Sequence, residues 1–192
     1  MAVRVAVFAG SERQGSFNIA LARLAAARAA AHGAQVRWID LGALDLPLYA
    51  ARLEAEDFPP AALTLKAALV DSDALLIASP EHNGSVSSLL KNAIDWASRP
   101  TDGESPVALA AFRGKTAGIM GASVSPFGGL RGLMHLRQIL GTVQAIVVPE
   151  QLAVPLADRA FAEDGSLHDP LFAGILDALV ARTLGVADRL RG

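Results

Sequence analysis

A polar loop near the start of the chain carries the residue types that bind phosphate. It spans residues 10–18 (GSERQGSFN), directly after the mostly apolar segment 3–8 and directly before an Ala/Leu-rich helical pattern. Two hydroxyl groups, an amide, a guanidinium and the N–H groups of a helix start would converge there, and together these groups favour an anion. The loop therefore predicts a phosphate cradle, with an ordinary strand-to-helix turn capped by Ser16 as an equal alternative.

The spacing of this loop narrows the class of phosphate ligand. A Walker loop requires Lys and Ser/Thr after its second glycine, whereas Ser16 and Phe17 follow Gly15. A dinucleotide fingerprint requires three glycines as G-x-G-x-x-G, and the loop has only Gly10 and Gly15, although Asp40 imitates the acidic ribose partner. What remains is a single terminal phosphate, as on a mononucleotide such as FMN.

A second polar loop, residues 79–84, follows another apolar segment. Pro80 restricts the backbone and Gly84 frees it, so the peptide groups of residues 81–83 can face a planar heterocycle, with His82 against or beside the ring. The alternative interpretation is a surface turn built on Pro and Asn-Gly.

The apolar pattern places these loops in an alternating arrangement of strands and helices. Strands are predicted at residues 3–8, 35–40, 74–78, 116–121 and 145–148, and helices at 18–32, 61–71, 87–98, 130–140 and 169–190, with a Pro-containing connection over 44–60. Right-handed crossovers then give an α/β protein, a three-layer α/β/α sandwich around a five-stranded parallel sheet. The loops after strands one, three and four meet at the carboxyl edge of such a sheet, where ligands bind, and this favours a ligand site over simple turns.

Composition restricts the function further. The chain has 192 residues, 52% of them hydrophobic, which predicts one domain over residues 1–192. A net charge of -2 argues against a nucleic-acid partner and favours a small molecule. Cysteine is absent, so redox chemistry would need a cofactor, and the four histidines are too scattered for a metal site. With neither a targeting segment nor a membrane-spanning run recognised, we expect a cytoplasmic protein without a membrane partner.

Several motifs make the chain resemble a known family. They are Gly10-Ser11-x-Arg13-x-x-Ser16-x-Asn18, Ser79-Pro80-Glu81-His82-Asn83, Leu90-Lys91-Asn92-Ala93-Ile94-Asp95-Trp96 and Gly128-Gly129-x-Arg131. Together they are similar to the NAD(P)H-dependent FMN reductase family, particularly its quinone and chromate reductase branch, over nearly the whole chain. The resemblance implies a flavodoxin-like fold with strand order 2-1-3-4-5, bound FMN, and a homodimer or homotetramer with the helix containing residues 91–96 in the dimer interface.

The resemblance also assigns residues to the cofactor. It implies that the first loop holds the FMN phosphate, the second contacts the isoalloxazine and the third completes the rim, through Ser11, Arg13, Ser16, Phe17 and Asn18, then Pro80, Glu81, His82, Asn83 and Gly84, then Ser123, Gly128 and Gly129. Arg131 is a candidate contact for a phosphate of NAD(P)H. The chain differs from the usual family pattern in having His82 for a tyrosine, Ser87 for a proline and Met134 for a tyrosine of the tetrameric members.

The implied reaction needs no side chain as catalytic acid or base. Hydride would pass from NADH or NADPH to N5 of FMN, and electrons would then pass to a quinone, azo, nitro or metal-oxyanion acceptor. The protein would supply position, a stacking surface and backbone donors. Two alternatives remain at this point: a non-enzymatic flavin-binding electron carrier or regulatory protein on the same fold, and a member that has lost the flavin through the change at His82.

Overall fold

Five parallel strands form the central sheet in the computed structural model, which describes residues 1–101 and 103–191. The strands are β1 (Arg4–Ala9), β2 (Gln35–Ile39), β3 (Ala74–Ala78), β4 (Glu81–His82), β5 (Ser85–Val86), β6 (Thr116–Ala122) and β7 (Ile146–Val154), and the helices are α1 (Phe17–Ala31), α2 (Ala51–Glu56), α3 (Pro60–Val70), α4 (Ser88–Ala97), α5 (Leu130–Thr142), α6 (Ala157–Ala160) and α7 (Pro170–Leu190). The sheet order is β2-β1-β3-β6-β7, while β4 and β5 pair with each other as a separate antiparallel ribbon. The predicted strand order 2-1-3-4-5 is therefore confirmed.

Both faces of this sheet are covered by helices. Every residue of β3 and β6 is buried, as expected for central parallel strands. A separate hydrophobic core lies on each face of the sheet, and successive residues of β1 point into one core and then the other. Val5 and Val7 pack with α1 and α7, whereas Ala6 and Phe8 pack with α3, α4 and α5. This confirms the predicted three-layer sandwich.

Three segments differ from the predicted elements. The connection over 44–60 contains α2, whose residues are all at least partly exposed and therefore show no apolar periodicity. The last strand extends to Val154 instead of ending at Val148, because a bulge opposite Ala117–Ile119 accommodates Pro149, which has no N–H for the ladder. The predicted loop 79–84 contains β4 and the turn that leads into β5.

Helix α7 is long and apolar enough, by length and composition, to cross a membrane. Its apolar face is buried against the sheet and consists of Leu176, Leu179, Val180, Leu184 and Ala187. The helix also contacts α1, β6 and β7. These contacts place one face of this apolar helix in the core.

Candidate functional site

The loops that follow β1, β3 and β6 are in direct contact at the carboxyl edge of the sheet. The backbone N–H of Gly10 donates to Ala78 O at 2.8 Å, and the N–H of Ser79 donates to Met120 O at 2.9 Å, so each loop begins on its neighbouring strand. A Cβ at Gly121 would lie 2.9 Å from Ser79 O, which shows how closely the second loop crosses β6. The structure thus brings together the three loops that the sequence pointed to.

Asn18 ties the first loop to the end of β6. Its Nδ2 donates to Ala122 O at 2.9 Å and its Oδ1 accepts from Ala122 N at 3.0 Å, and the residue is only 4% exposed. The amide therefore has partners inside the protein at both ends. These two bonds position the loop. They use only one hydrogen of Nδ2, so the assignment of Asn18 to the FMN phosphate stays a prediction.

The start of α1 presents groups that were predicted to bind an anion. The Ser16 hydroxyl accepts from Ile19 N at 3.4 Å, so the predicted cap is present, and the hydroxyl hydrogen remains able to donate. The N–H groups of Phe17 and Asn18 face outward from the first helical turn, because helix geometry gives them no carbonyl to bond. Capping and anion binding are compatible here, since they use different atoms of the same turn.

The exposed part of the first loop is held by contacts between residues close in sequence. Ser11 Oγ accepts from Arg13 N at 3.4 Å, and the Arg13 guanidinium donates to Gly15 O at 3.3 Å while lying 5.8 Å from the Phe17 ring centroid. Phe17 in turn stacks on Phe161, with ring centroids 5.9 Å apart. A cleft of about 760 Å³ opens between this loop, α1 and residues 161–165. Sequence reasoning missed Phe161, which carries no local motif.

The second loop is a tight hairpin. Asn83 and Gly84 both have positive φ, +50° and +79°, as a two-residue type I′ turn requires, and His82 pairs with Ser85. The alternative interpretation of an Asn-Gly turn is therefore correct as local structure. Because the residues flanking such a turn bond to each other, the peptide groups of Glu81 face away from the partner strand. His82 is exposed on the side of the ribbon opposite Glu81.

The Glu81 side chain caps α5. Its Oε1 accepts from Arg131 Nε at 2.7 Å, and its Oε2 accepts from the backbone N–H groups of Arg131 and Gly132 at 3.1 and 3.3 Å. Burial acts to raise the pKa of Glu81, but the hydrogen bonds from Arg131 and Gly132 lower it below its ordinary value. The guanidinium of Arg131 thus pairs with Glu81, and its predicted contact with a nucleotide phosphate stays a prediction.

Two glycines shape the third loop. Gly128 has φ +60° and a Cβ there would lie 2.7 Å from the Val154 carbonyl carbon, while Gly129 has φ +88° and is the N-cap of α5. Ser123 accepts from Ser125 N at 3.2 Å. These residues form the rim mainly through their backbone, as glycine at both positions allows.

Helix α4 and its N-cap residue hold the first loop and the connection after β2. Ser87 caps it by accepting from Leu90 N at 3.2 Å, and its hydroxyl donates to Gly10 O at 2.6 Å. Trp96 is fully buried and its Nε1 donates to Pro47 O at 2.7 Å, so this part of the motif holds the connection after β2.

The same helix carries an ion pair on its surface. Lys91 bonds both oxygens of Asp95 at 2.8 Å. Across residues 1–101 and 103–191, no group of three or more His, Cys, Asp or Glu side chains could hold a metal ion.

Comparison with known proteins decides the family. Residues 3–159 match the family model described as NADPH-dependent FMN reductase. The chain belongs to this family. This reductase is 40% identical over 169 residues to the NAD(P)H-dependent FMN reductase of Pseudomonas aeruginosa, a match that covers 87% of this chain and 85% of that protein.

Two further proteins are similar to this chain over nearly its whole length. The reductase is 35% identical over 187 residues to the quinone reductase of Escherichia coli K12, covering 94% of this chain and 91% of that protein. Its structure matches the flavoenzyme NAD(P)H:(acceptor) oxidoreductase FerB of Paracoccus denitrificans with a TM-score of 0.83 and 30% identity, covering 98% of each chain. The predicted family, flavodoxin-like fold, FMN cofactor and NAD(P)H donor are confirmed, and the chain is an FMN-dependent NAD(P)H oxidoreductase instead of a non-enzymatic carrier.

Proposed function

We propose that this reductase binds FMN across the three-loop edge and transfers electrons from NAD(P)H to quinones. The observation that carries the proposal is the pair of hydrogen bonds between Asn18 and Ala122, because it holds the start of α1, with its anion-binding groups, beside the end of β6. The β4–β5 hairpin follows β3, which lies between β1 and β6 in the sheet. A phosphate-binding end and a ring-binding end therefore share one edge of the sheet.

The phosphate of FMN would lie at the first loop. The donors there are the hydroxyls of Ser11 and Ser16, the N–H groups of Phe17 and Asn18 and the guanidinium of Arg13. This set suits a phosphate dianion, since it combines several neutral donors with one positive charge. It offers much less to a neutral hydroxymethyl end, so FMN should be preferred over riboflavin.

The isoalloxazine would lie along the hairpin. The peptide groups of Glu81 that face away from β5 provide both a donor and an acceptor for a heterocycle, with Pro80, His82, Asn83 and Gly84 around them. Ser123, Gly128 and Gly129 would close the rim. FMN, when bound, supplies the hydride-transfer chemistry. The protein binds and orients the two ends of the cofactor and leaves one side accessible to donor and acceptor.

A quinone is the acceptor that the rim supports best. Val124 and Phe127 of the third loop expose about 59% and 58% of their surface, which gives this rim an apolar edge suited to a planar organic acceptor. A chromate ion would gain nothing from those side chains. The rice relative, named a probable NADPH:quinone oxidoreductase 2, is 34% identical over the full length of this chain.

The proposal includes the state of the protein. We place residues 1–192 in one FMN-binding domain, acting in the cytoplasm as a homodimer or homotetramer without nucleic acid or membrane partners. Support for assembly comes from Phe127, Leu130 and Met134, which expose apolar surface at helical spacing around the start of α5. Light scattering of the purified protein tests the assembly, and a single monomeric mass would contradict it.

The central experiment combines binding and turnover. Fluorescence titration should show one FMN per chain, bound at least about 100-fold more tightly than riboflavin because the anion contacts are lost. Steady-state oxidation of NADPH and of NADH should then be faster with benzoquinone than with chromate or an azo dye. Equal affinity for riboflavin would contradict the phosphate site. Turnover no faster than with free FMN would contradict the reductase function.

A further inference from the structure

We infer that Glu81 and Arg131 are a positioning pair, which fixes the β4–β5 hairpin on α5 and so sets the surface offered to the isoalloxazine. The inference rests on the proposed function, because it needs the hairpin to contact the flavin. It assigns Arg131 to the protein's own hairpin instead of to a phosphate of NAD(P)H.

The Glu81 carboxylate connects the hairpin to the start of α5 through both of its oxygens. Both oxygens are used: one accepts from the Arg131 Nε at 2.7 Å, and the other from two backbone N–H groups at the start of α5, at 3.1 and 3.3 Å. The side chain is only 8% exposed, although it belongs to a two-residue strand at the sheet edge. Since Gly129 at the N-cap has no side chain, Glu81 is the residue that caps this helix from outside.

Further contacts make the hairpin depend on α5. His135 Nδ1 lies 2.9 Å from Ser85 Oγ, which joins the second strand of the ribbon to the same helix. A Cβ at Gly132 would lie 3.0 Å from Ser85 O, so the helix backbone lies directly against the hairpin. A ribbon of two residue pairs is not stable alone. Its orientation must come from what it packs against.

The Arg131 guanidinium is already engaged by groups of the protein itself. Its Nε and terminal nitrogen both contact Glu81, and its guanidinium lies 5.5 Å from the Phe127 ring centroid. A phosphate that captured this side chain would leave the buried Glu81 carboxylate without its counter-charge, which is costly. The favourable arrangement keeps the pair intact while NAD(P)H binds.

The test uses the full-length enzyme loaded with FMN and a double-mutant cycle of Glu81→Gln, Arg131→Gln and the combined variant. Arg182→Gln is the matched control, because Arg182 makes a similar half-exposed ion pair, 2.9 Å from Glu150, outside the residues assigned to FMN. The readouts are the FMN Kd from fluorescence quenching, the visible flavin spectrum, and the KM for NADPH and for NADH.

Each single substitution should raise the FMN Kd about tenfold. The FMN Kd of the double variant should be no higher than that of the weaker-binding single variant, since either substitution already removes the Glu81–Arg131 pair. The spectrum should shift, the ratio of the two KM values should stay within about twofold of wild type, and the control should match wild type. If both single variants bound FMN as tightly as wild type, this inference would be wrong while the proposed function would stand. A selective rise in the NADPH KM of Arg131→Gln at unchanged FMN Kd would also overturn this inference. Failure of the wild-type protein to bind FMN would overturn the proposed function as well.

Discussion

Replacement of Asn18 by alanine separates a positioning role from a ligand role. The substitution removes both hydrogen bonds to Ala122, at 2.9 and 3.0 Å, and leaves the buried N–H and C=O of Ala122 without those partners. A buried backbone group left unsatisfied costs about 1–3 kcal/mol, so the free energy of unfolding of the apoprotein should fall by about 2–4 kcal/mol. For a chain of this length that corresponds to a Tm lower by about 5–15 °C.

Urea unfolding of the FMN-free protein measures this loss directly. The exposed amide of Gln138 provides a control, because Gln138→Ala removes a similar group from the surface of α5 and should change the free energy of unfolding by less than about 0.5 kcal/mol. The FMN Kd of Asn18→Ala should also rise, since the start of α1 is then no longer held at the end of β6.

One result would refute this reasoning about Asn18. If the apoprotein kept its full stability while the FMN Kd rose about tenfold, the amide would be a direct ligand and the bonds to Ala122 would be unimportant in solution.

Three further substitutions have defined outcomes. Lys66 is buried and bonds Arg99, Thr101 and Glu104, with its Nζ 2.6 Å from the carbonyl oxygen of Arg99. Lys66→Met should therefore lower the free energy of urea unfolding by about 2–4 kcal/mol, and a loss under about 1 kcal/mol would show that these contacts are weak. Burial acts to raise the pKa of Asp73, but hydrogen bonds led by those from Arg4 lower it from 3.8 to about 2. The carboxylate of Asp73 therefore stabilises the fold above its unfolded-state pKa, and this stabilisation is lost as the pH falls through its folded-state pKa. Asp73→Asn should make the free energy of unfolding fall less steeply between these two pKa values. An unchanged dependence of stability on pH in this acidic range would contradict the prediction. His82→Tyr should lower the FMN Kd about three- to tenfold by adding aromatic surface, whereas an unchanged Kd would place this side chain away from the ring.

Much of the fold could be predicted because burial on both faces of a parallel sheet leaves a local record. The continuous apolar runs of β1, β3 and β6 and the stripe on α7 are direct consequences of such burial. The surface helix α2 and the bulge near Pro149 left no such record, since neither is defined by an apolar period.

The candidate site divides in the same way. Ser16 could be recognised as a cap, and Asn83-Gly84 as a turn, because both depend on residues a few positions apart. The partners of Asn18 and Glu81 lie 104 and 50 positions away, and no local pattern specifies them.

The sequence by itself determined the alternation of strands and helices, the polar loops at the ends of β1, β3 and β6, and the types of donor those loops carry. Only the tertiary structure decided which polar side chains hold the loops together. The physical reason is that a side chain's hydrogen-bonding partner is set by which distant segments pack side by side, and Asn18 and Glu81 satisfy neighbouring backbone that comes near only in the folded chain.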